Sequence, residues 1–401
     1  MANGLCCTHV QQGGDRIMPS ASPVPRGPSV LVLGQPGELV TRPGCPACRY
    51  VAEAADRYLA WFALEAHGDA GMVTRLSASL GMCAPHTRVL MSQPGAAPRL
   101  TVVYRYVLQA VPGQLAARRW RPDPCPACEQ AASATGRVLD MVADGLADPG
   151  FRSGYAAAGG LCLPHLHAVL RQCRRGPASW LAGVALDRLQ GQAWPAALLT
   201  GELDPGTGGR ARRGAALSQD CPAGGCPACH AALRGEQARL GQAARPGGAD
   251  AAQCAGHLDD SLAAAGPLAG AMLAVQGAHQ AGLLALAQDR RRSVRRRSAA
   301  AARGCAVCRE RAAAGRRELG RRAAAGAPWP PLCVRHVLEL RTFDSGAGEQ
   351  AAAVAAGRAA VLAAELAEDS GARARQARGA GRSAWRRAAA FLDGAIGATA
   401  A

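Results

Sequence analysis

Cys45-Pro46-Ala47-Cys48 opens a pattern that returns three times, at Cys125-Pro126-Ala127-Cys128, Cys226-Pro227-Ala228-Cys229 and Cys305-Ala306-Val307-Cys308. Each pair is followed by one Cys-x-x-His: Cys83 with His86, Cys162 with His165, Cys254 with His257, and Cys333 with His336. The order never breaks, and the gaps between second and third cysteines are 34, 33, 24 and 24 residues. One Cys-x-x-Cys is a weak signal, but four with matched partners are a strong one. Twelve of the sixteen cysteines fall into the scheme. Each Cys-x-x-Cys is read with the Cys-x-x-His that follows it as one module.

The flanks repeat too. Met82, Leu161 and Leu332 precede the third cysteine, and Pro98 and Pro177 lie 12 residues beyond the module histidine. The third module is the poorest copy, with Gln253 at the apolar position. Apolar residues recur at helical spacing after Cys48 (Val51, Ala55, Tyr58, Phe62) and after Cys128 (Ala132, Val138, Val142, Leu146). The spacing predicts a short helix after each Cys-x-x-His. It predicts another after the proline, carried by Val103, Tyr106, Val107 and Ala110, and by Leu181, Val184, Ala185 and Leu189. No stretch reads as a sheet, so the expected fold is all-α: tandem helical modules, each stapled by a Cys3His site.

Zinc takes four tetrahedral ligands and accepts three cysteines and one histidine readily. Three thiolates and a neutral imidazole around Zn2+ leave a charge of −1. A helix N-terminus stabilises that charge through its dipole and free N–H groups, and Pro46, Pro126 and Pro227 suit a first helical turn. Four protein ligands leave no open position, so the sites read as structural, with up to four zinc ions per chain. Thiol-disulfide exchange is the main competitor, because a thiolate at a helix start is activated. That reading lacks a βαβ context and leaves the Cys-x-x-His unexplained. Cys226-x-x-Cys229-His230 matches a haem-attachment motif, yet Arg49, Glu129 and Arg309 stand at the equivalent positions. Iron–sulfur ligation has less support, since histidine is a minority ligand there.

Other features have blander readings. His279 reads as a core histidine on a stripe with Leu268, Met272, Leu283 and Leu286, His67 and His167 as surface residues, and Cys173 as a packed thiol. Cys221, also within Cys-Pro-Ala, could substitute as a ligand in the third module. Near the start, Gly4-Leu5-Cys6-Cys7-Thr8-His9 repeats the second half of a module without a partner pair.

The modules pair off. Cys45 to Cys125 is 80 residues and Cys226 to Cys305 is 79, but Cys125 to Cys226 is 101. The surplus lies in a Gly-, Pro- and Arg-rich stretch. The expected organisation is a mostly disordered segment 1–43, modules one and two in 44–190, a linker 191–225, modules three and four in 226–370, and a basic tail 371–401. Trp385, Leu392 and Ile396 give that tail helical spacing.

The pattern CPxC, helix, then G-[LM]-C-x-P-H, as in Gly81 to His86 and Gly160 to His165, resembles an uncharacterised bacterial family, a domain of unknown function with paired CxxC and CxxH motifs. The resemblance implies metal-binding helical modules and no activity.

Composition narrows the function classes. The net charge is +17, and all 46 basic residues are arginine, in keeping with the codon bias of a GC-rich genome. Without lysine there is no P-loop lysine, Schiff base or lysine general base, and HExxH and GxSxG are absent too. No catalytic constellation is found, so an enzyme is not the favoured reading. Met1 to Arg16 has no apolar run of signal-peptide length, and the longest apolar stretch noted, Leu268 to Ala287, is interrupted by Gln276, His279 and Gln280. A cytoplasmic protein without a transmembrane segment is expected, its cysteines reduced and metal-bound. The leading expectation is a zinc-stabilised, solenoid-like scaffold that binds another protein. The alternatives are a regulator that binds nucleic acid weakly and non-specifically through Arg290–Arg297 and its neighbours, and a redox-responsive zinc switch or thiol-disulfide protein.

Overall fold

The computed structural model describes residues 36–42, 44–83, 86–87, 89–90, 96–117, 120–172, 175–191, 226–243, 277–278, 280–282, 284–285, 305–373 and 381–393. Among these there is no strand. The fold is all-helical, as the periodicity indicates.

Two long helices begin at the first two Cys-x-x-Cys pairs: α2 (Pro46–Leu64) and α5 (Pro126–Gly145). Each has a proline in its first turn and a cysteine, Cys45 or Cys125, at the N-cap. Between them come α3 (Ala70–Ala78), capped by the Asp69 side chain on the Met72 N–H, and α4 (Ala96–Ala116). After α5 follow α6 (Pro149–Ala158), α7 (Leu163–Gln172) and α8 (Arg175–Gly191). The second half repeats the plan with α9 (Pro227–Ala243), α10 (Ala306–Ala325), α11 (Val334–Leu340), α12 (Ser345–Arg373) and α13 (Gly381–Asp393). Segment 1–43 contributes one described element, the short α1 (Pro36–Leu39). Its Leu39 is buried in a core with α5 and α6 residues, while residues 1–35 lie outside the described residues. Of the expected linker 191–225, Gly191 ends α8 and the rest lies outside the described residues.

Within each half the two Cys-x-x-Cys helices pack against each other, α2 on α5 and α9 on α10. The second pair runs antiparallel. A Cβ on Gly235 would meet the Ala314 Cβ at 2.7 Å, whereas one on Gly315 would meet the Ala228 carbonyl and the Ala232 Cβ at 3.6 and 3.7 Å. Small residues at these crossings let the backbones approach. The first pair follows the same scheme: Cys48 shares a core with Val138, Leu139 and Val142, while Tyr58 lies by Cys125 and Glu129.

The core does not stop at the joint between the halves. Val103, Val107, Leu108 and Val111 of α4 share one cluster with Ala355, Ala359, Leu362 and Leu366 of α12. These two helices are antiparallel, since Arg341, just before α12, donates to the Leu115 carbonyl at 2.5 Å. Helix α13 closes the cluster with Ala388, Phe391 and Leu392, and Arg387 pairs with Glu365 at 2.7 Å. The first half's second core likewise takes in Leu284. Ser345–Glu368 within α12 is apolar and long enough to cross a membrane by length and composition, at mean hydropathy 1.2. One face of it packs against α4.

Periodicity placed Ala55, Tyr58, Phe62, Val103, Val107, Val138, Val142, Leu181 and Ala185 in the core; other expectations fail. Tyr106 is 43% exposed, and Tyr104 fills the core instead. His167, expected at the surface, is buried, and its Nε2 lies 3.0 Å from Gln280 Oε1 of the other half. The cause is tertiary: the partner is 113 residues away, so the burial has no local signal.

Candidate metal centres

Seven of the eight Cys-x-x-Cys and Cys-x-x-His segments lie among the described residues, and each opens a helical turn. The carbonyl of the first cysteine accepts the N–H four residues on: Arg49 to Cys45, Thr87 to Cys83, Glu129 to Cys125, Leu166 to Cys162, His230 to Cys226, Arg309 to Cys305 and Val337 to Cys333. Each segment thus presents its ligands at a helix N-terminus, where unpaired N–H groups and the dipole favour thiolate. The glycine before the third cysteine has a matching role. Gly81 (φ 85°) and Gly160 (φ 61°) are left-handed, with the rings of Tyr104 and Tyr155 against the space a Cβ would fill.

The segments assemble into three sets of ligand atoms, each within 4.8 Å: Cys45, Cys48, Cys162 and His165; Cys83, His86, Cys125 and Cys128; and Cys226, Cys229, Cys333 and His336. This corrects the module reading. In both halves a Cys-x-x-Cys closes with the Cys-x-x-His of the neighbouring repeat, not with its own. The physical reason is helix length. At 1.5 Å per residue, α2 carries the chain about 28 Å from Cys45 and α10 about 30 Å from Cys305, so the next Cys-x-x-His is delivered at the far end, beside the start of the antiparallel partner. Cys305 and Cys308 stand at that other end of the second pair, packed with Leu240 and Val307, and Cys305 Sγ accepts the Cys308 N–H at 3.4 Å. Cys254 and His257 lie outside the described residues, as do Cys6, His9, Cys173, Cys221, His279 and Arg290–Arg297.

The geometry suits one ion per set. Every histidine turns Nδ1 to the thiols. In the first set Cys48 Sγ is 3.6 Å from Cys162 Sγ, and His165 Nδ1 lies 3.5, 3.4 and 3.2 Å from Cys45, Cys48 and Cys162. In the second, Cys83 and Cys128 are 3.5 Å apart, and His86 Nδ1 lies 3.2, 3.6 and 3.5 Å from Cys83, Cys125 and Cys128. In the third, Cys229 and Cys333 are 3.7 Å apart, and His336 Nδ1 lies 3.3, 3.4 and 3.0 Å from Cys226, Cys229 and Cys333. A tetrahedron with metal–sulfur bonds of 2.3 Å has edges of about 3.8 Å, somewhat less to nitrogen. These separations are tetrahedral edges, far too long for a disulfide.

The electrostatics agree. Hydrogen bonds from neighbouring thiols, with burial, push Cys83, Cys162 and Cys333 up. Against the cost of burial, thiol and imidazole hydrogen bonds hold Cys45 down, and thiol hydrogen bonds lead in holding Cys125 and Cys226 down. Three crowded thiols cannot all ionise unless a cation sits among them.

Two carboxylates beside the ligands escaped the sequence reading. Glu339 Oε2 lies 3.8 Å from His336 Nε2, and Asp56, whose carboxyl burial pushes up, is drawn back down by His86. His336-x-x-Glu339 on one helix was a readable signal, whereas the influence of His86 on Asp56 depends on the fold.

No family model, curated protein or solved structure matches the chain.

Proposed function

We propose that the protein is a zinc-stabilised helical scaffold that serves protein–protein interaction. The observation that carries this reading is the closure of the ligand sets: four protein ligands in each, drawn from segments up to 120 residues apart, with no coordination position left for a substrate. Three thiolates with one imidazole at tetrahedral spacing favour zinc over hard, oxygen-seeking ions such as magnesium or calcium. Crossed closure in the first half accounts for both of its sites. In the second half it accounts for the third set and leaves Cys305 and Cys308 for the remaining Cys-x-x-His, so Cys254 and His257 are proposed to complete a fourth. Leu64, Tyr106, Phe343 and Val361 offer exposed apolar area to a partner. The number of reduced cysteines fits the cytoplasm.

Elemental analysis of protein purified under reducing conditions tests the reading. About four zinc ions per chain, and a loss of helicity on chelation, support it, because structural zinc contributes on the order of 10 kcal/mol to small folds. A zinc content near zero, or a coloured iron centre, overturns it.

A further inference from the structure

The three described sets share a donor chemistry but differ in cover. All cysteines of the first and third sets are buried: Cys45, Cys48 and Cys162, and Cys226, Cys229 and Cys333. All three cysteines of the second set, Cys83, Cys125 and Cys128, are partly exposed.

The difference has identifiable causes. Leu39 of α1 shares the core of the first set, and Arg49 donates to the Leu39 carbonyl at 3.1 Å, tying that helix down beside the site. The Gly44 N–H bonds the Ala158 carbonyl at 3.0 Å and holds the approach to Cys45 against α6. The third set lies within the large core cluster, backed by Leu332, Val334 and Val337. The second set borders the large core too, through Met82 and Ala127, with Cys125 packed against it from the partly buried side. The residues leading into Cys125, Arg121 to Pro124, are all exposed, and the ion pair of Arg75 with Glu129 that flanks the site is itself half open to solvent.

We propose that the set of Cys83, His86, Cys125 and Cys128 is the metal-exchange site, where the ion passes between the protein and small thiol or chelating ligands while the first and third sets stay sealed. The inference rests on the metal reading above. Exchange requires an incoming ligand to reach the ion and displace one thiolate at a time, which partly exposed sulfurs allow and buried ones allow only after local opening. Loss of this ion releases the start of α5 from the segment after α3 and leaves the two sealed centres to hold the rest. The second set is therefore suited to report zinc or thiol supply.

The test uses the full chain loaded with zinc, limiting N-ethylmaleimide as the electrophile, a chromophoric chelator to record released zinc, and peptide mass spectrometry to locate the label. Among the nine cysteines of the three sets, Cys83, Cys125 and Cys128 should be labelled at least about tenfold sooner than the other six, together with the first equivalent of zinc released from these sets. Cys125→Ser should remove the first equivalent of zinc released from these sets and keep the slow release from the first and third sets. Even labelling of all nine, or earlier labelling of Cys45, Cys162, Cys226 or Cys333, overturns the proposal while leaving the metal reading intact. A chain that takes up no zinc overturns both.

Discussion

Cys48 Sγ lies 3.6 Å from the Sγ of Cys162, 114 residues on, whereas Cys83, much nearer in the chain, belongs to a different set. The two sites of the first half are therefore interdependent. Each ties the beginning of one long helix to the segment delivered by the other, so the repeats are linked rather than strung side by side.

Crossed closure makes a prediction about metal count that module-by-module closure contradicts. Cys45→Ser with Cys162→Ser should cost one zinc per chain, because both residues serve one site. Cys45→Ser with Cys83→Ser should cost two. Elemental analysis of the two double variants against wild type decides the matter, and the opposite pattern would restore the module pairing.

The shared core predicts that the halves unfold together. Leu108 is fully buried on the α4 face that meets α12. Leu108→Ala should destabilise by about 2–5 kcal/mol, since it leaves a cavity in packed surroundings. In urea, zinc-loaded protein should show one transition moved to lower concentration by both helix and tryptophan signals. Two transitions, only one of them shifted, would show independent domains.

His167 and His165 are two residues apart and should answer differently to the same change. His165→Ala removes a ligand atom and should lose one zinc. His167→Ala should keep the full metal content and cost about 1–3 kcal/mol, because buried Gln280 loses its partner. Equal metal loss in both variants would contradict this assignment.

Two helical glycines should respond to alanine with opposite signs. At Gly320 a Cβ meets nothing within 4 Å, so Gly320→Ala should stabilise by up to about 1 kcal/mol through helix propensity alone. At Gly235 the new Cβ would stand 2.7 Å from that of Ala314. There the overpacking cost of about 1–3 kcal/mol outweighs the propensity gain, and Gly235→Ala should destabilise. Thermal melts of the two variants measure the signs.

Helix class, the ligand residue types and the start of each Cys-x-x-Cys helix were legible in the chain, because each rests on local chemistry. A period near 3.6 marks Tyr58, Phe62, Val138 and Val142 as buried, and proline after cysteine marks the first turn of α2 and α5. Ligand pairing was decided by tertiary structure, since Cys45 is equally compatible in sequence with Cys83 and with Cys162. The antiparallel packing of α2 on α5, together with the length of α2, puts the second within reach and the first a helix length away. The same holds for His167, whose partner Gln280 comes from a segment distant in the chain. Spacing records what a residue does within its own helix, whereas the neighbour it meets depends on where a rigid rod of known length comes to rest.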